Sequence, residues 1–559
     1  MIWRYKTVLT SITFIFFLLI TRLFYWQVVK AEELSRIGQL QYGKIITIQP
    51  KRGEIKTSDL FPLVTNKISY LLTVNPKLIK NKKEVSEKIS ETLNVDIASV
   101  SASLNLDLFW VPVKNNLTQQ EKQKIEKINI EGLGFEEKFV RFYPEASMAA
   151  QLVGIVGKTE NGEDKGYFGL EGYYERLLKG KEGKAVQVRD AFGKPILAKM
   201  NQSSVQIDGS NLILSIDRVI QFNLEKKLKE GIEKYGAKSG MAAVMNPKTG
   251  EIIAMASFPT FDPKSYQDYS DDLYKNPFIT DLYEPGSTFK PIIMSAALDA
   301  KLVKPLTKCP VCSGPVTIGD YVIHTWNDKY YKDINMTEII QHSDNTGMVY
   351  VSQKLGYEKM FNYLKKFGIG ELSGIDLQGE ATSNLEDKTW YPVDVATAAF
   401  GQGISVTPIQ ILSAISAIAN NGKRMEPHVV SAVESFDGTL TKVFPKALGS
   451  PINEETAKIM TEMMVNAVDK GEAAWAKPKG YRIAGKTGTA SIPIKGHYDP
   501  THTIASFVGF APADDPRFVM LVIYNRPTTS IYGAETAAPT FFEIAREILT
   551  YYGISPERQ

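Results

Sequence analysis

A serine and a lysine three residues apart, Ser287 and Lys290, stand in the stretch Glu284-Pro285-Gly286-Ser287-Thr288-Phe289-Lys290-Pro291. Pro285 and Gly286 suit a tight turn. Phe289, Ile292, Ile293, Ala296 and Ala297 then recur at the 3–4 spacing of a helix with a buried face. Pro291 fits the first turn of that helix, where backbone N–H groups have no intrahelical partner. The spacing thus predicts a turn that delivers Ser287 to a helix start, with Lys290 one turn along the same face. A serine hydroxyl is a weak nucleophile until a base takes its proton. A lysine held dry beside it, with other cations near, can be that base. The chemistry on offer is acyl transfer through a serine ester.

Two further groups could serve the same chemistry. Ser343-Asp344-Asn345 lies 56 residues after Ser287, and Lys486-Thr487-Gly488-Thr489 lies 199 residues after it. Taken singly, the three stretches read as a helix start, a cap or turn, and a strand with a turn. Their order and context set them apart: turn and helix, then a loop between helices, then a strand. S-x-x-K, S-D-N and K-T-G in this order form the signature of penicillin-binding proteins and class A β-lactamases. On these residues, and on Phe400-Gly401-Gln402-Gly403 ahead of Thr407-Pro408, the chain resembles a class B penicillin-binding protein. That family is the monofunctional, membrane-anchored peptidoglycan D,D-transpeptidase type.

The resemblance implies a role for each residue. Ser287 is the nucleophile and Lys290 its base. Ser343 passes a proton to the nitrogen of the leaving D-alanine, and Asn345 holds the substrate backbone and Lys290 together. Lys486 adds a positive charge that lowers the pKa of Lys290 and attracts a terminal carboxylate. Thr487 and Thr489 offer hydroxyls to that carboxylate, and Gly488 lets a strand edge approach the substrate. The backbone N–H groups of Ser287 and Thr489 form the oxyanion hole, such donors being worth about 3–4 kcal/mol each. No metal and no cofactor is expected. His324, His342, His428, His497 and His502 are scattered and receive no catalytic role; His342 is expected at a helix end, and Asp344 is expected to orient its loop.

The elements that position these groups need a long chain, and 559 residues call for two or three domains. A net charge of +3 gives no concentrated basic face of the kind nucleic acid requires. From Val8 to Val29 the chain carries one charge, Arg22, which can snorkel beside Tyr25 and Trp26. With Arg4 and Lys6 ahead of the run and no small-x-small cleavage site after it, an uncleaved anchor is expected, N-terminus inside. The expected organisation is a cytoplasmic tail over 1–7, a transmembrane anchor over 8–29, a non-catalytic pedestal or dimerisation domain over 30–205 and a transpeptidase domain over 206–559. The catalytic domain is placed outside the cytoplasmic membrane. Cys309 and Cys312, as C-P-V-C, make half a zinc site with no second pair, so a structural role is expected, as a disulfide or as two small buried residues.

The fold expected is α+β throughout. In the pedestal, Lys44–Ile48 and Ser69–Val74 read as strands, and Asn81–Leu93 and Gln119–Ile128 as exposed helices. Arg52-Gly53-Glu54-Ile55, Arg141-Phe142-Tyr143-Pro144, Gln151-Leu152-Val153-Gly154 and Gly169-Leu170-Glu171-Gly172 resemble the family pattern, while Lys56-Thr57-Ser58-Asp59 stands where the family has D-R-x-G. Further on, a helix is expected over Val219–Tyr235, a hairpin around Asn246-Pro247-Lys248-Thr249-Gly250, a capping box of Asn335 with Glu338, and a helix over Thr346–Leu355. Strands are expected over 483–491, 506–511 and 517–524, with a last helix over Thr540–Tyr552. Strands at both ends around a helical block suggest one sheet covered by helices. The resemblance implies the penicillin-recognising transpeptidase fold, an antiparallel sheet covered by helices and akin to the serine β-lactamases.

The leading reading is cross-linking of peptidoglycan stem peptides, with inhibition by β-lactams and, by resemblance, a polytopic membrane glycosyltransferase as partner. The sequences around Ser287, Gly401 and Ser506 look more like the division or sporulation type than the elongation type. A β-lactamase would be about half this length, without anchor or pedestal, and would carry a deacylating glutamate in an E-x-x-x-N pattern. A non-catalytic scaffold or sensor need not keep all three motifs, and a sensor would need a cytoplasmic signalling domain. A bifunctional glycosyltransferase–transpeptidase would need a module that the span from Lys30 to Val205 is too short to hold beside the pedestal.

Overall fold

The computed structural model describes residues 2–34, 37, 43–188, 201–385, 389–494 and 497–557. The N-terminal apolar run is helical over Ile2–Phe24 and continues as a π-helical turn over Tyr25–Val29. Among the described residues it is the one helix long and apolar enough to cross a membrane. The guanidinium of Arg22 lies 5.1 Å from the ring centre of Trp26 and 5.9 Å from that of Tyr25. The helix starts earlier than the apolar run, because Arg4 and Lys6 are sound helix formers and long enough to reach away from the apolar stretch.

The chain divides into two compact units. The first comprises Met1–Arg52, Asn66–Val140 and Lys179–Gly209; the second comprises Gly53–Thr65, Arg141–Leu178 and Ser210–Gln559. Compactness therefore cuts the chain differently from the expected boundary at 205/206, because two early segments pack with the C-terminal unit.

In the first unit, the strand that ends at Val74 pairs antiparallel with Val111–Leu117, Tyr70 standing opposite Leu117, and also with Leu133–Phe142. Helices Lys82–Leu93, Ile97–Leu104 and Gln119–Glu126 accompany this sheet. The charged faces of the first and third are exposed as expected, the second carries no charge, and each sends apolar residues into the core, including Ile89, Leu104 and Ile125. Asn81 caps the first of these helices, and Thr118 with Glu121 closes a capping box on the third. A separate antiparallel sheet joins Gly43–Ile48, Gly183–Val188 and Asn201–Ser204.

In the second unit, five antiparallel strands run in the order Ile252–Phe258, Ser239–Met245, Phe518–Asn525, His497–Ala511, Ala484–Ile494. Both faces are covered, and the strand period of two sorts the side chains between them. Ala242, Val244, Phe507, Val522 and Tyr524 meet helices Arg218–Tyr235 and Ala537–Tyr551 on one face. Ala243, Met245, Val508, Phe510 and Leu521 meet the central helical block on the other. Asp217 caps the first helix through Val219 N and Ile220 N, and Gly236 ends it. The expected sheet covered by helices is present, as is the hairpin around Asn246–Gly250.

Three details differ from expectation. The serine helix, Lys290–Asp299, is buried all round from Lys290 to Leu298 and not on one face, because other helices of the block surround it. The helix expected from Thr346 starts at Asn345, because the Asp344 carboxylate caps Gly347 N at 2.8 Å. The strand expected over 506–511 starts at His497; its first half is polar and gives no apolar alternation to read. Cys309 and Cys312 are buried and joined by a disulfide. Arg141 and Glu171, from two stretches that carry the resemblance, form an ion pair of 2.8 Å with both side chains buried.

Candidate active site

The site begins at the turn before the serine helix. Gly286 has φ 57°, and Gly286–Phe289 forms one 3-10 turn that leads directly into the helix from Lys290. Gly286 N donates to Gly401 O at 3.0 Å. Gly401, at φ 79°, must be glycine: a Cβ there would lie 2.1 Å from Gly286 O. This close approach fixes the turn, and Ser287 is left half-buried on the wall of a cleft of about 340 Å³. Ser343, Asn345, Thr487 and Thr489 line the same cleft. Five of the eight residues expected at the site thus share one cavity wall, drawn from three separate parts of the chain.

Lys290 and Lys486 lie behind that wall, both buried. Lys290 Nζ donates to Ser343 O at 2.5 Å, to Ser343 Oγ at 3.2 Å and to Asn345 Oδ1 at 2.8 Å. Ser343 can offer both oxygens because its backbone is left-handed (φ 56°) where it ends the helix Met336–His342. Asn345 Nδ2 donates to His324 O at 3.0 Å, so that amide ties Lys290 to the neighbouring loop. Burial pushes the Lys290 amine well below the usual lysine range, and the Lys486 charge pushes it the same way; Asp344 and Glu472 oppose them. The expected effect of Lys486 on Lys290 is present, but desolvation is the larger cause. Burial lowers Lys486 itself to about 8, with Glu472 opposing.

The third motif lies on the edge strand Ala484–Ile494. Lys486 Nζ donates to Thr487 Oγ1 at 3.0 Å. Thr489 Oγ1 accepts from Gly533 N at 3.1 Å, which leaves its own hydrogen for the cleft. Gly488 has a packing role besides the one expected. A Cβ there would meet Ser506 Oγ at 2.3 Å and Thr288 Cγ2 at 2.7 Å, so the glycine lets the strand pack against the serine turn. Asp344 does orient its loop, accepting from Thr346 Oγ1 at 2.7 Å as well as from Gly347 N. His342 ends its helix and stacks on Tyr331, with 4.5 Å between ring centres.

Several cleft residues were not found from sequence, Trp326, Tyr532 and Glu472 among them. Trp326 and Tyr532 meet edge-on at 5.5 Å, and Glu472 faces the third motif. None belongs to a spaced pattern; single aromatic or acidic residues in loops gave no signal. Among the described residues, no group of three or more His, Cys, Asp or Glu side chains is placed to hold a metal ion.

A buried lysine held by an S-D-N turn behind a cleft wall that carries a half-buried serine, beside an antiparallel sheet between helical layers, defines the penicillin-recognising serine class. The comparisons agree. The model described as "Penicillin binding protein transpeptidase domain" matches residues 240–550, and "Penicillin-binding Protein dimerisation domain" matches residues 47–214. The chain belongs to this penicillin-binding protein family. It is 34% identical to Stage V sporulation protein D of Bacillus subtilis, over 97% of this chain and 85% of that protein. It is 29% identical to Peptidoglycan D,D-transpeptidase FtsI of Buchnera aphidicola (Schizaphis graminum), over 99% and 96%. Among solved structures, a peptidoglycan synthetase from Bifidobacterium adolescentis superposes with TM-score 0.74 at 27% identity, over 92% of this chain and 98% of that one. Penicillin binding protein 3 of Mycobacterium tuberculosis, complexed with aztreonam, gives 0.70 at 25% identity over the same shares.

Proposed function

We propose that the chain is a serine D,D-transpeptidase that cross-links peptidoglycan stem peptides and is acylated by β-lactams. One observation carries this reading: a buried, pKa-lowered lysine is held by Ser343 and Asn345 behind the cleft wall that Ser287 lines. The neutral Lys290 amine takes the Ser287 proton as Oγ attacks the carbonyl of the penultimate D-alanine. The oxyanion forms against the backbone N–H groups of Ser287 and Thr489. Collapse breaks the amide bond. The leaving nitrogen takes a proton through Ser343, whose Oγ already accepts from Lys290. D-alanine departs, and the Ser287 ester is then attacked by an amine on a neighbouring stem, which frees the serine. Lys486 supplies positive charge behind Thr487, and the free hydrogen of Thr489 is available to a substrate carboxylate.

The apolar N-terminal helix supports a membrane-anchored protein. The finer reading is a single pass through the cytoplasmic membrane, tail 1–7 inside, anchor over 8–29, a pedestal over 30–205 and the transpeptidase domain over 206–559 outside. It rests on Arg4 and Lys6 ahead of the span. A polytopic membrane glycosyltransferase is the partner this reading implies, and division or sporulation the setting.

The test is labelling of the full chain with a fluorescent penicillin, wild type beside Ser287→Ala, followed by release of label. A stable adduct on wild type and none on the variant supports the reading. Rapid release would point to a β-lactamase, and no label on folded wild type would leave a non-catalytic scaffold.

A further inference from the structure

Glu472 follows Gly471, just past the helix Glu454–Lys470, and its side chain lines the cleft beside the third motif. Thr487 Oγ1 donates to its Oε2 at 3.3 Å while accepting from Lys486 Nζ at 3.0 Å. A hydroxyl has one hydrogen. With that hydrogen on the carboxylate, the Thr487 oxygen turns its lone pairs to the lysine, and a relay runs from Lys486 through Thr487 to Glu472. The other carboxylate oxygen, Oε1, is buried without a hydrogen-bond partner among the described residues. Leaving such an acceptor unpaired costs on the order of 1–3 kcal/mol, which folding alone gives no reason to retain.

We propose that Glu472 is a positioning residue of the third motif: it fixes the Thr487 hydroxyl as an acceptor for Lys486 and holds Lys486 as an ammonium behind the substrate's carboxylate end. It follows that Thr489, and not Thr487, supplies the hydroxyl hydrogen to that carboxylate. The inference rests on the transpeptidase reading above and adds a residue to it.

Charge gives the inference its signature. The Glu472 carboxylate opposes the lowering of both Lys486 and Lys290. The other titratable groups are Tyr498 and Asp499, which line the same cleft from the strand His497–Ala511, and Asp344, which acts on Lys290. Asp499 is engaged by Thr501 and His502, and on Glu472's own stretch Asp469 pairs with Lys477. Removing the Glu472 charge lowers Lys290 and Lys486 together. Acylation needs Lys290 neutral and Lys486 charged, so both limbs of the pH–rate profile move toward lower pH.

The experiment measures second-order acylation of the full chain by a penicillin across pH, for wild type, Glu472→Gln and Glu472→Asp, with thermal melting of each. The expected result is a Gln variant with wild-type melting whose whole bell lies at lower pH. Its rate should drop most on the alkaline side of the Lys486 transition near 8, and Asp should restore much of the shift. A bell of unchanged position in a folded Gln variant overturns the inference and leaves the transpeptidase reading intact. Absence of any acylation of folded wild type overturns both.

Discussion

Lys290 Nζ lies 2.8 Å from Asn345 Oδ1, across 55 residues of sequence. With the two to Ser343 it gives the nitrogen three acceptors, of which the neutral amine can serve two at once while its lone pair stays available as the base. The amine is held in place by the second motif before any substrate arrives.

Asn345→Ala removes one of these anchors and the tie to His324 O. Acylation by a fluorescent penicillin should fall about 10²–10³-fold, the usual scale for a misplaced general base. Asn345→Asp keeps the shape but adds a negative charge beside Lys290, which raises its pKa. The acid limb of its pH–rate profile should therefore move to higher pH.

The pH profile of wild-type acylation should be bell-shaped. It rises as Lys290 loses its proton, at a pH well below the ordinary lysine value, and falls as Lys486 deprotonates near 8. Lys486→Met should abolish the alkaline fall along with most of the rate, as read by stopped-flow acylation.

The same lysine makes stability depend on pH. Lys486 is lowered from 10.5 to about 8, so between those values the unfolded chain holds more protons than the folded one. Stability from this group therefore rises with pH through that window, by about 3 kcal/mol. Denaturant melts of wild type and Lys486→Met, which lacks the titration, should converge at low pH less closely than at high pH in a charge-dependent way: the wild type gains relative to the variant as pH rises.

Gly488→Ala places a methyl group 2.3 Å from Ser506 Oγ and 2.7 Å from Thr288 Cγ2. Overpacking of this kind costs about 1–3 kcal/mol. Thermal melting should show the loss, and acylation should slow because the displaced atoms belong to the serine turn and its strand.

Breaking the buried pair Arg141–Glu171 should be more damaging than removing it whole. Glu171→Ala is expected to cost about 3–5 kcal/mol, and Arg141→Met with Glu171→Leu less. Urea unfolding of the single and double variants measures the difference.

Sequence alone determined what is local or spaced. The Ser287 turn follows from Pro285 and Gly286, the cap at Asn335 from Glu338 three residues on, and the helix expected over Val219–Tyr235 from its amphipathic period. The three motifs were legible because their residue types and order form a recognisable set, and the sheet between helices because strands stand at both ends of the second unit. Tertiary structure decided the rest. Gly401 is set by its 2.1 Å approach to Gly286 O and Gly488 by Thr288 and Ser506, contacts that no spacing encodes. The disulfide choice for Cys309 and Cys312, the early start of the strand at His497 and the division into compact units depend likewise on what packs against what. Glu472 is the clearest case. Its charge acts on two lysines that stand 14 and 182 residues away in sequence, and only folding brings those groups within electrostatic range.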